Sequence, residues 1–122
     1  MLASPHQLYI NPVISSEYLY HLLGILGGRA PMSIAESGKV GEALAEHQTS
    51  TFLSLFEQLP IRTEGITLAI SFMKKHNLLP NDAMILASCC LEGVPVLASY
   101  DSDFTGACRE EGIRLLNDAS EV

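Results

Sequence analysis

The sequence predicts an α/β domain with a parallel sheet and helices on both faces, and three observations lead there. Strand-like and helix-like segments follow one another as strand, helix, helices, strand, helix, helix, strand, helix, strand, an order that calls for parallel strands joined by right-handed crossovers. The run Val94-Pro95-Val96-Leu97-Ala98 is apolar without alternation, as in a strand covered on both faces. Asp101 and Asp103 follow it at its carboxyl end, where open α/β sheets build their sites. A chain of 122 residues with 48% hydrophobic content is enough for one core, so residues 1–122 are read as a single domain.

In chain order, Gln7-Leu8-Tyr9-Ile10 reads as a short strand. Asn11-Pro12 starts a helix, with Asn as N-cap and Pro at the first helical position, and Gly27-Gly28 stops it after about Leu26. Val13, Glu17, Tyr20 and Gly24 share one face of that helix. Glu17 is therefore an acid on an otherwise apolar or small face, either solvated at the rim or functional. The stretch from Arg29 to Thr51 carries the weakest signal, punctuated by Gly38 and Gly41. A helix is predicted from about Ser50 to Gln58, with Phe52, Leu53, Leu55, Phe56 and Leu59 on its apolar side. Pro60 ends it, Ile61-Arg62 makes a short strand, and Thr63 caps a helix from Glu64 to His76. Lys74-Lys75-His76 close that helix, where cations complement the dipole; an RNA contact is the competing role.

The stretch 79–104 organises the rest. Asn81 is read as an N-cap, and Asp82 falls in the first turn, where exposed N–H groups favour an anion. Residues 83–91 are apolar apart from Ser88, as in a helix buried on nearly every side. Glu92-Gly93 ends it, the strand 94–98 follows, and Asp101 and Asp103 lie beyond. Taken singly, each acid is also a common cap or loop residue. A helix from about Phe104 to Glu110 and a strand Ile113-Arg114-Leu115-Leu116 close the chain.

Seven basic against fourteen acidic residues give a formal charge of −7, which excludes a protein that coats phosphates through Lys and Arg. Any nucleic-acid contact has to be local, and a metal ion is one way to mediate it. Cys89, Cys90 and Cys108 show no zinc or redox spacing and read as core thiols of a reducing cytoplasm. No stretch approaches the roughly 18 apolar residues of a membrane span, so a cytoplasmic, soluble protein is expected.

The run Leu79-Pro80-Asn81-Asp82-Ala83 with Ile85-Leu86-Ala87, then Ser99-Tyr100-Asp101-Ser102-Asp103-Phe104, then Glu111-Gly112-Ile113, resembles the C-terminal half of PIN domains, the metal-dependent ribonuclease fold of many prokaryotic toxin–antitoxin toxins. The segment Tyr9–Glu17 resembles the family's second strand and helix, where a glutamate at the place of Glu17 is a metal-site acid. The resemblance implies a PIN-like three-layer fold in which Glu17, Asp82, Asp101 and Asp103 gather at the carboxyl edge of the sheet. Clustered carboxylates repel unless a cation neutralises them, and an all-oxygen ligand set suits Mg2+ or Mn2+ rather than zinc. Such an ion would activate water and offset phosphate charge in phosphodiester cleavage. Ser99 matches a hydroxyl position of the family pattern and would hold a ligand or water, and Lys74 and Lys75 are the candidate RNA contacts. RNA as substrate, an antitoxin protein as partner and a homodimer are the implied associations, with Tyr18, Tyr20, Leu23 and Leu26 as interface candidates.

One departure stands out. PIN domains carry an aspartate on a first, central strand, whereas the first Asp here is Asp82. The resemblance covers roughly residues 7–117, so an N-terminally truncated PIN-like domain is expected, one that cleaves RNA poorly even with manganese. A PIN-like module that binds without cutting, and a structural α/β domain whose acids are caps, are the alternatives. A phospho-acceptor receiver domain expects an acidic pair after its first strand, and none exists.

Overall fold

The computed structural model describes residues 7–118. Its backbone falls into two compact units, the first running to Gln58 and the second starting at Leu59.

In the first unit, β1 (Tyr9–Ile10) leads into α1 (Pro12–Gly27). Asn11 is the predicted cap: its Oδ1 accepts the Ile14 N–H at 2.9 Å, and Pro12 opens the helix with a preset φ. Gly28 ends it at φ 71°, in the left-handed region, and donates its N–H to the Gly24 carbonyl. Although α1 is mostly apolar, none of its residues is fully buried. The weak-signal stretch forms three short helices, α2 (Pro31–Glu36), α3 (Val40–Leu44) and α4 (Thr49–Leu53). Ile34 of α2 is the buried anchor beneath Gly27, where a Cβ would collide with the Ile34 Cδ1. Phe52 stacks on Tyr18 at 5.2 Å between ring centroids and meets Phe56 edge-on at 5.4 Å.

The predicted helix over 50–58 is cut short. It ends at Leu53, and Glu57–Gln58 form β2, parallel to β1, with the Glu57 N–H donated to the Leu8 carbonyl at 2.9 Å. Helices this short are marginal by themselves, and Thr49, Ser50 and Thr51 are weak helix formers, so pairing with β1 overrides the periodic pattern.

The second unit begins with α5 (Thr63–His76), which packs along α6 (Pro80–Leu91). The strand expected at Ile61-Arg62 does not form: Pro60 has no N–H to donate, and extended Arg62 is the N-cap of α5, with Thr63 already helical. Asn81 is likewise inside α6 rather than its cap. Pro80 takes the first helical position, which fixes Leu79 as the cap residue. From Asp82 to Cys89 every side chain except Met84 is buried, as the apolar run predicts. Leu86 and Ala83 reach 0% exposure, against Phe72 and Ala69 of α5 and Phe104 and Ala107 of the last helix in the same core.

A left-handed Gly93 then turns the chain into β3 (Val96–Ala98), shorter than the predicted 94–98. It pairs in parallel with β4 (Arg114–Leu116), across α7 (Phe104–Glu111). Only Leu97 of β3 is buried, so the expectation of a strand covered on both faces holds for one face only. The parallel pairing and helix–strand alternation match the predicted α/β class; the described strands pair as two two-stranded ladders, β1-β2 and β3-β4.

Ion pairs pin the helix ends of this unit. Arg62 Nε meets Glu92 at 2.9 Å, joining the start of α5 to the end of α6. At the other end of α5, Lys75 Nζ meets Glu111 at 2.9 Å, and the buried His76 ring lies between Glu110 (3.2 Å) and Glu111 (2.8 Å). No helix of the described residues is long and apolar enough to cross a membrane.

Candidate metal centre

Asp82, Asp101 and Asp103 reach one place by different routes. Asp82 is the third residue of α6, in the first turn, where the positive end of the helix dipole favours an anion, and it is 8% exposed. Asp101 and Asp103 come from the exposed turn between β3 and α7. One carboxylate oxygen from each of the three lies within 4.8 Å of the other two.

The turn is fixed by its own polar atoms. Ser99 donates its N–H to the Leu116 carbonyl at 2.9 Å, which extends the β3–β4 ladder by one bond. Its Oγ accepts the Asp101 N–H at 3.0 Å, and Asp101 Oδ1 accepts the Asp103 N–H at 2.9 Å. Asp103 then stands at the N-cap position of α7 with no side-chain cap bond. Each step is a short-range side-chain to backbone bond of the kind that holds Ser and Asp turns. They set the backbone from which Asp101 and Asp103 each bring a carboxylate oxygen to Asp82.

Three hard oxygen donors, one buried and two exposed, suit a small divalent cation with several coordinated waters, and contain no nitrogen or sulfur to favour zinc. The residues present therefore fit Mg2+ or Mn2+. Glu17 lies half-buried on α1 in the first unit. Ser99, expected to hold a ligand or water, uses its oxygen lone pair to shape the Asp101 turn. Lys75 is engaged by Glu111 and Lys74 is exposed in the last turn of α5.

The cysteines lie away from this chemistry. None is in a disulfide; burial pushes the Cys89 thiol up to about 11 and raises those of Cys90 and Cys108. Such thiols stay protonated and inert at neutral pH.

One feature that the sequence reading passed over is Tyr100, between Ser99 and Asp101, with 82% of its surface exposed. An aromatic residue inside a Ser-x-Asp-x-Asp turn was the available signal.

Comparison with known proteins gives the chain's relatives. The chain is similar to Ribonuclease VapC2 of Methanocaldococcus jannaschii, 27% identical over 96 residues that cover 79% of this chain and 64% of the relative. It is also similar to Ribonuclease VapC6 of the same organism, 49% identical over 109 residues that cover 80% of this chain and 69% of the relative. The chain thus spans about two thirds of the length of these curated relatives. No solved structure matches it significantly. The family model described as PIN domain matches residues 1–110, which is most of the sequence and includes all three clustered aspartates. This chain belongs to the PIN domain family.

Proposed function

We propose that residues 1–122 form a single PIN-like domain that acts as a Mg2+- or Mn2+-dependent endoribonuclease, the toxin of a toxin–antitoxin pair. The observation that carries the reading is the meeting of Asp82, Asp101 and Asp103 within 4.8 Å, in a chain of this family. The ribonuclease names of both relatives support RNA as the substrate.

In this reading Asp82, Asp101 and Asp103 hold the cation. Bound there, a divalent ion stabilises charge on the scissile phosphate and makes water a better nucleophile. The rigid Ser99–Asp103 turn supplies placement: a carboxylate already fixed by a backbone N–H needs little reordering to ligate. No aspartate precedes Asp82 in the sequence, so the proposed aspartate ligands all come from α6 and the turn before α7. An antitoxin protein and a second copy of the chain are the proposed partners, in a cytoplasmic setting. The exposed apolar residues of α1, including Tyr20 and Leu26, support an association surface there, whereas Tyr18 is already stacked on Phe52.

The test is Mn2+ binding by calorimetry, followed by RNA cleavage with and without chelator, in the wild type and Asp101→Asn. Asparagine keeps the oxygen that accepts the Asp103 N–H and removes only the charge, so the turn survives. Wild type is expected to bind the ion and to cleave in a chelator-sensitive way. In Asp101→Asn, ion affinity and cleavage should both fall, cleavage by about 100-fold, since a few kcal/mol of charge stabilisation corresponds to two orders of magnitude in rate. A wild type that binds no Mn2+, or a variant that keeps full affinity, would refute the site.

A further inference from the structure

We infer that Tyr100 is a stacking platform for an unpaired base of the RNA, beside the phosphate held at the aspartates; this rests on the ribonuclease reading above. Four observations converge on it.

The first is position. Tyr100 immediately precedes Asp101, so its Cα is about 3.8 Å from that of the acid. A phosphate at the cluster therefore brings a neighbouring base within reach of the ring.

The second is exposure on a fixed mount. Tyr100 is 82% exposed, yet both of its neighbours are tethered: Ser99 N–H to the Leu116 carbonyl, and Asp101 N–H to Ser99 Oγ. The backbone beneath the ring is already ordered, and a tyrosine has only two side-chain torsions to immobilise, so stacking costs little conformational entropy.

The third is uniqueness. Beyond Gln58 the phenylalanines and tyrosines are Phe72, Tyr100 and Phe104, and both phenylalanines are 3% exposed in the core. Tyr100 is thus the ring of these three that is available to a ligand.

The fourth is the shortage of charge for holding RNA. The chain carries −7, and of the five cations beyond Gln58 (Arg62, Lys74, Lys75, Arg109 and Arg114), Arg62 is paired with Glu92 and Lys75 with Glu111. Phosphate contacts supply little affinity under those conditions, whereas base–aromatic stacking works without charge and is sequence-tolerant. Stacking also requires a base free of its partner strand, which selects single-stranded segments and loops.

The experiment measures binding of a single-stranded RNA decamer, 2′-O-methylated at every position to prevent cleavage, in the presence of Mn2+. Tyr100→Phe keeps the ring and should bind within about twofold of wild type. Tyr100→Ala should bind about 10-fold more weakly or worse, from the usual effect of removing one stacked base contact. The chain has no tryptophan, so Tyr100→Trp introduces a single indole whose fluorescence the decamer should quench and a duplex of the same sequence should not. Circular dichroism of the variants checks that an exposed substitution leaves the fold intact. Equal affinity of wild type and Tyr100→Ala, no measurable affinity in the wild type, or unquenched indole emission would each overturn the inference. Mn2+ affinity measured alongside separates the two failures: retained ion binding with Tyr100 dispensable leaves the metal-site reading standing.

Discussion

Asp101 shows how one residue serves both a turn and the proposed metal site. Its Oδ1 closes a turn on the Asp103 N–H while its second oxygen remains for a ligand, and Ser99 sets the turn from the other side. The two-residue spacing from Ser99 to Asp101 to Asp103 therefore serves the turn and the proposed site together. Residue-scale burial has its own consequence at Cys89, which lies in the core of α6 with its thiol pushed up to about 11 by desolvation. Reaction with a disulfide reagent at pH 8 should label Cys89 far more slowly in the native chain than in guanidinium, with partly exposed Cys90 reacting first. Equal rates in the two states would show that Cys89 is not enclosed.

Among elements, the clasp between α5 and α7 is the one whose strength depends on pH. His76 and Lys75 both hydrogen-bond Glu111, and these two bonds, with His76 the larger effect, hold its carboxyl below the ordinary value of 4.5. A lowered native pKa means that, as pH falls, the unfolded chain takes up the proton first. The stabilisation is thus fully present above about pH 4.5 and is lost as pH drops through the lower native value. The wild-type Tm should decline across that acid window, and Glu111→Gln should show a lower Tm at pH 7 with a shallower decline. The difference at pH 7 should be a few degrees at most, because the pair is partly solvated. Parallel acid profiles for the two proteins would remove Glu111 from the account. The clasp is at the opposite end of α7 from Asp103, so it fixes the helix that carries the turn without touching the acids.

At the scale of the whole molecule, the first unit leaves much apolar surface uncovered. Ile25 is 76% exposed, Met32 70% and Tyr20 56%, on or next to an apolar helix with no buried residue. Surface of that kind marks association. Light scattering should give a dimer at high micromolar concentration, and Ile25→Glu with Tyr20→Glu should shift it to monomer while Mn2+ binding persists. A wild type that stays monomeric at that concentration would count against a homodimer and leave an antitoxin segment as the partner to test.

The sequence alone determined the elements whose signals are local. Asn11-Pro12 and Gly28 bound α1, the apolar run 83–91 made a buried α6, and Pro95 to Asp103 announced a strand with acids at its carboxyl end. Those signals work because capping, proline φ and side-chain periodicity act within a few residues. The family's motif was legible for the same reason, since its acids stand at element ends. Only the tertiary structure decided what depends on distant partners. It made Glu57–Gln58 a strand, because β1 offers a ladder that outweighs a marginal helix. It engaged Lys75 with Glu111, thirty-six positions away. It brought Asp82 within 4.8 Å of two aspartates about twenty residues further on, and left Tyr100 exposed beside them while Phe104 went into the core. Long-range packing chooses among locally equivalent options, and a chain read one window at a time holds no record of that choice.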